Sequence, residues 1–225
     1  MWSHNLPQRS NQNIRTTCST TTNRLITTMK IAIIGKGSVG TNLGLLLQSG
    51  HGVSHIGRSD SAETVAALLQ DANMVLLATP YSAVTDIATK YQESLENKIV
   101  VDATNPVRSD WSPETNLGGH GSAAEHIQAM LPDSEVVKCF NTIFADNMVV
   151  ERLKTRKIST FVAGNDKAAC ETVADLADSI GFDAIQCGAL DKAQYLEGMA
   201  HLNIALAVGM GRGTSTGFLY FSEEK

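Results

Sequence analysis

The stretch MKIAIIGKGSVG, residues 29–40, constrains this chain more than any other. A short apolar run from Ile31 to Ile34 ends in Gly35-Lys36-Gly37-Ser38-Val39-Gly40, and an amphipathic segment follows. That order predicts a strand, a glycine turn and a helix. The glycines permit a sharp turn and a close backbone approach, and the N–H groups at the helix start face negative charge. A dinucleotide pyrophosphate suits such a turn. Gly40 and Gly44 share one face of the helix expected over 38–48, because residues four apart stack on a helix. Glycine is costly inside a helix, so two on one face predict close packing on a sheet and close approach to a ligand. Gly50 is the expected left-handed stop.

A second strand, over 52–56, ends in Gly57-Arg58-Ser59-Asp60. Sites for NAD usually carry an acid here for the ribose 2′-hydroxyl. Arginine and serine take its place, and a guanidinium fork with a hydroxyl suits a 2′-phosphate. The expected cofactor is therefore NADP(H). Asp60 reads as the N-cap of the next helix, with Glu63 closing a capping box.

Residues 73–78 (NMVLLA) and 98–102 read as strands buried on both faces. They end in Thr79-Pro80 and in Asp102-Ala103-Thr104-Asn105-Pro106, at the sheet edge where ligands bind in such folds. A helix is expected over 81–91. Residues 107–121, with Trp111, read as a loop over the site, long enough to act as a lid. Further helices are expected over 122–130 and, more weakly, 144–153, with strands over 134–139, 158–163 and 182–187. Asn165 or Asp166 caps a helix presenting Ala169, Val173, Leu176 and Ile180 on one face, ended by Gly181. A long apolar helix over 191–210 and a Gly-rich tail complete the chain. This alternation predicts an α/β fold of Rossmann type, a doubly wound parallel sheet with a C-terminal helical extension.

A net charge of −5 leaves no electrostatic footprint for nucleic acid. No segment is apolar and long enough to span a bilayer, so no membrane partner is expected. Cys18, Cys139, Cys170 and Cys187 form no CxxC pair, which points to a reducing, cytoplasmic setting. His4, His51, His55, His120, His126 and His201 lack metal-ligand spacing, and no metal is expected. Residues 1–28 are polar and free of acids, without the apolar core of a secretory signal. They read as a disordered over-extended start or an organelle transit peptide. Residues 29–217 form the expected domain, with a tail over 218–225.

The motifs GKGSVG, GRS, ATP, ATNP, VVKCFNT, FVAGND and GFDAIQCGALDKAQYLEGMAHLNIALA together resemble one family. It comprises the NADP oxidoreductases that depend on coenzyme F-420, an 8-hydroxy-5-deazaflavin. The chain is also similar to the cytosolic reductase domain of animal membrane metalloreductases. The resemblance runs over residues 29–217 and implies the site residue by residue. Gly35, Lys36, Gly37, Ser38, Val39 and Gly40 would hold the pyrophosphate, and Arg58 and Ser59 the 2′-phosphate. Ala78, Thr79 and Pro80 would border the ribose, and Asn105 and Pro106 would lie beside the nicotinamide. Phe140 and Asn141 would wall the hydride-transfer cleft. Leu196, Met199 and Leu202 of the last helix would make an apolar wall for a flat acceptor. Two departures stand out. A strand and helix usual after GRS are absent, so one sheet edge is expected to be missing and the adenine pocket more open. Asp60 and Glu63 stand where a second basic residue is common, and would soften the NADP preference.

Hydride transfer needs alignment more than side-chain chemistry, so no residue is singled out as a catalytic acid or base. Glu197 and His201 lie four apart and read as a helix-face ion pair. Cys139 reads as a small core residue. The expected activity is hydride transfer between NADPH and a small-molecule acceptor, coenzyme F-420 or a flavin. The alternatives are another small acceptor (imine, keto acid, ferric chelate) and an NADP-binding sensor without turnover. The apolar last helix serves equally as an acceptor wall or a homodimer interface.

Overall fold

The computed structural model describes residues 28–155 and 157–223. The leader expected over 1–28, with His4 and Cys18, lies outside them except for Thr28, as do the last two residues of the tail.

Strand β1 (Lys30–Ile34) runs into α1 (Ser38–Leu47), then β2 (Gly52–Ile56), α2 (Ala62–Asp71) and β3 (Met74–Leu77). A single 3-10 turn, Tyr81–Ala83, leads into α3 (Val84–Leu95), followed by β4 (Ile99–Asp102), α4 (Ala123–Met130) and β5 (Glu135–Lys138). The short α5 (Val150–Thr155), β6 (Ser159–Gly164), α6 (Lys167–Ser179), β7 (Asp183–Gly188) and α7 (Ala193–Ile204) complete the order. A π-helical turn, Ala205–Gly209, extends α7 close to the expected end.

The strands form one sheet in the order β2-β1-β3-β4-β5-β6-β7. Side chains alternate across a strand, and the core divides accordingly. Ile31 and Ile33 face a cluster with Leu43 and Leu47 of α1 and Val173 of α6. Ala32 and Ile34 face the other, with Val65, Val84 and Ile127 of α2, α3 and α4. Helices thus cover both faces. The chain leaves β1 for β2 on one side and for β3 on the other, and this switch point opens a crevice at the strands' carboxyl ends. Among the described residues β2 is an edge strand of the sheet.

Three sequence expectations are corrected. The sheet is not wholly parallel: β6 runs antiparallel to β5 through only two register pairs, and β7 follows β6. The six-residue α5 supplies no crossover helix of the kind a parallel neighbour needs. Gly50 is not left-handed; the N–H groups of Gly50 and His51 close onto the Leu47 carbonyl instead. Ser61, not Asp60, caps α2, its hydroxyl accepting from the Thr64 N–H at 3.2 Å. The tail is tied down, since the Ser159 N–H donates to the Phe218 carbonyl and the Tyr220 N–H to the Ser159 hydroxyl.

Candidate functional site

The glycine turn sits at the switch point with no room for side chains. A Cβ on Gly35 would lie 2.1 Å from the Ala78 carbonyl oxygen, and its φ of +127° is left-handed. A Cβ on Gly40 would lie 2.2 Å from the Gly35 oxygen, and one on Gly44 2.4 Å from the His55 ring. Both helix glycines therefore allow α1 to pack down on β1 and β2. Gly37 differs. It is the N-cap of α1, in extended backbone, and a Cβ there would meet nothing within 4 Å. No side chain caps α1, so its first N–H groups remain available to an anion.

A cavity of about 730 Å³ opens beside this turn. Gly35, Lys36, Gly37, Arg58, Ser59, Ala78, Thr79 and Pro80 all line it. Arg58 and Ser59 are exposed at its rim and bond to no described residue. Val65 of α2 and Ile87 and Tyr91 of α3 add an apolar wall, with Lys90 beside them. Sequence reasoning missed this wall; its signal was the helix starting directly after Thr79-Pro80, at a strand's carboxyl end. Asp60 turns inward, accepting the Gly57 N–H at 2.7 Å and pairing with Lys36 at 3.1 Å. The Gly57 N–H and then the Lys36 ammonium hold its carboxyl below the usual range.

A second cavity, about 260 Å³, lies against Val39. Asn105, Asn141 and Thr142 meet there with Val107, Trp111, Phe144 and Ile204. The two asparagines lock each other. Asn105 Nδ2 donates to the Asn141 carbonyl at 2.8 Å, and Asn141 Nδ2 donates to Asn105 Oδ1 and the Leu196 carbonyl, both at 3.0 Å. Both amide protons of Asn141 are thereby used, and its buried Oδ1 has no partner among the described residues. Among the described residues the hydroxyls of Thr142 here, of Thr79 in the first cavity and of Thr104, which lines neither, are likewise buried without a partner. Buried polar atoms without partners are costly in a native fold, and three of these four belong to residues that line the two cavities.

Four expected cofactor residues line neither cavity: Ser38, Gly40, Pro106 and Phe140. Ser38 and Gly40 build the turn from behind, and the Pro106 carbonyl contacts His201 Nε2 at 3.1 Å. Phe140 is placed away from the cleft. Its φ of +63° turns the ring into the core against Phe182, while its N–H donates to the Thr160 hydroxyl. That left-handed step delivers Asn141, not Phe140, to the cleft. The last helix does wall the second cavity, but with Ala200, Asn203 and Ile204. Leu196 and Met199 instead pack with Phe161 of β6, and Leu202 is exposed. The expected lid is a tied loop, with Val107 bridged to Pro113 and Arg108 paired to Glu114.

Beneath the second cavity lies a cluster that sequence reasoning missed. Lys138, wholly buried, donates at 2.8 Å to Asp102 Oδ2, to Glu197 Oε1 and to the Thr104 carbonyl. Glu197 also accepts the Ala123 and Ala124 N–H groups that begin α4. The expected Glu197–His201 pair is therefore not formed; both side chains find partners on other elements. Burial opposes the Lys138 charge, but the two carboxylates outweigh it and raise its pKa. Cys139 is an inert core thiol, pushed by burial up to about 12. Among the described residues no helix is long and apolar enough to cross a membrane, and no side-chain cluster suits a metal ion.

A family model described as "NADP oxidoreductase coenzyme F420-dependent" matches residues 30–106. The chain is similar to the crystal structure of an Arthrobacter sp. FB24 protein provisionally described as an F420-dependent NADP reductase. That match has a TM-score of 0.74 and 31% identity, and covers 86% of this chain and 100% of that one. It is similar to the F420-dependent NADP reductase of Methanocaldococcus jannaschii, at 32% identity over 62% of this chain and 64% of that protein. It also matches the human metalloreductase STEAP2, at 30% identity over 47% of this chain and 20% of that protein.

Proposed function

The chain belongs to the family of coenzyme F420-dependent NADP oxidoreductases, and from that premise we propose that it moves hydride between NADP(H) and a deazaflavin or flavin-like acceptor. One observation carries the reading: two cavities flank the same glycine turn, one ending at the unpaired Arg58 and the other at the unpartnered Asn141 Oδ1. NADPH would supply the hydride; the chain supplies binding, orientation and a dry cleft.

The uncapped start of α1 would take the pyrophosphate against Gly35–Gly37. Arg58 and Ser59 would hold the 2′-phosphate, and Val65, Ile87 and Tyr91 the adenine. A carboxamide NH₂ suits Asn141 Oδ1, an acceptor fixed in place because its own amide group already has two partners. Val107, Trp111, Phe144 and Ile204 offer apolar surface to a flat ring and keep water from the transfer.

Following NADPH absorbance with the deazaflavin coenzyme, flavin mononucleotide, ferric chelates and no acceptor tests the reading. Oxidation should be fastest with the deazaflavin. Tight NADPH binding without oxidation by any acceptor would move the protein to a sensing role. Arg58→Asp should weaken NADPH by about a hundredfold and NADH by less than about threefold, since only NADPH carries the 2′-phosphate. Equal losses would refute the 2′-phosphate assignment. Asp60→Asn should tighten NADPH by roughly threefold, because it removes a negative charge and releases Lys36. Weaker binding in that variant would mean that Asp60 matters chiefly for holding the Gly57 turn.

A further inference from the structure

We propose that the buried Lys138–Asp102–Glu197 cluster biases the nucleotide site toward the oxidised, cationic nicotinamide over the neutral reduced one. The inference rests on the NADP(H) reading of the cavities above.

One ammonium faces two carboxylates, so the cluster carries one net negative charge in a buried setting. Its place is set by the strand ends. Asp102 and Lys138 are register partners at the carboxyl ends of β4 and β5. The Thr104 carbonyl that Lys138 holds directly precedes Asn105, which lines the second cavity. Glu197 directly follows Leu196, whose carbonyl anchors Asn141. The cluster is therefore linked to each of the two asparagines that would face the nicotinamide through one intervening residue, Thr104 beside Asn105 and Leu196 beside Glu197. The start of α4 offsets part of it through the two N–H bonds to Glu197. The cluster's field reaches beyond it: the Tyr81 hydroxyl is pushed toward its neutral form, first by burial and then by Glu197 and Asp102, with Lys138 opposing them. In a low-dielectric interior such a charge acts over several ångströms. Oxidised nicotinamide carries a positive charge and the reduced ring none, so the cluster favours the product of hydride donation.

The test measures dissociation constants of NADPH and NADP⁺ for the full chain, with thermal melts to confirm folding. Glu197→Gln removes the net charge at nearly constant shape. It should weaken NADP⁺ relative to NADPH by about tenfold, and Asp102→Asn should move the ratio the same way. Glu197→Asp keeps the charge and should leave the ratio within about twofold, even if both affinities fall. Asp102→Asn decides the matter should Glu197→Gln not fold. If the neutral variants and Glu197→Asp all change both affinities by one common factor, the cluster is only a brace and the proposal is wrong. A wild-type chain that binds neither nucleotide overturns the NADP(H) reading itself, a result distinct from an unchanged ratio.

Discussion

Replacing Gly37 by aspartate is expected to leave the fold as stable as before, or slightly more so, while weakening NADPH binding about a thousandfold. The two effects have opposite signs because Gly37 is both an N-cap and the floor of the proposed phosphate cradle. Its backbone is extended, with φ −77° and ψ 180°, which any L residue accepts. A Cβ there touches nothing. Aspartate is a favoured N-cap and its charge suits the start of a helix, so the change adds a few tenths of a kcal/mol, by estimate, to α1. The same carboxylate then occupies the space a pyrophosphate needs. Two like charges about 4 Å apart cost on the order of 4 kcal/mol at an effective dielectric of 20, about a thousandfold in affinity. Gly35→Ala is the contrast, since its Cβ collides with the Ala78 oxygen and should cost stability as well. Melting curves with NADPH titrations separate the two cases. Undiminished binding by a stable Gly37→Asp protein would remove the pyrophosphate from this turn.

Lys138→Met carries the second large effect. It leaves Asp102 and Glu197 buried without a cation, and breaking a buried pair in this way costs about 3–5 kcal/mol. The melting temperature should fall on the order of 10 °C near pH 8. The pH dependence distinguishes this from simple cavity formation. In the wild type the pKa of Lys138 is raised above 10.5, so its contribution is complete below that value and is lost only as pH rises through the folded pKa. In the variant the stranded carboxylates favour their protonated forms, which raises their folded pKa values. Stability is then present in acid and lost as pH rises. The variant should therefore melt at a higher temperature near pH 5 than near pH 8, estimated from ordinary carboxylate values. A deficit that does not change with pH would show that lost packing, not charge, is responsible.

Several features were legible because they are local. The alternation of Ile31 and Ile33 with Ala32 and Ile34 identifies a strand with both faces covered, and the structure assigns the two pairs to opposite core clusters. Gly35 and Gly40 could be read as close contacts, since few other uses suit glycine at a strand end and within a helix. Arg58 and Ser59 could be placed because a strand's last residue determines which edge its turn occupies. Other features failed because their cause lies elsewhere in the chain. Lys138 sits in an apolar run and looks like a strand end, but its two carboxylate partners are 36 and 59 residues away. Glu197 and His201 have helix-pair spacing, yet each is taken by another element. Leu196, Met199 and Leu202 are the apolar choices on α7, but its rotation presents Ala200 and Asn203 to the cavity.

Residues 30–56 could be read from the sequence alone as a strand, a glycine turn, a helix and a second strand, with Arg58 just past the end of the latter. Periodicity and glycine sterics act within a few residues, so they survive translation from sequence to structure. The direction of β6, the inward turn of Phe140, the face α7 turns to the cleft and the burial of Lys138 emerge only from long-range packing. Each of these depends on which distant groups satisfy a buried donor, acceptor or charge, and that pairing exists only once the sheet has closed.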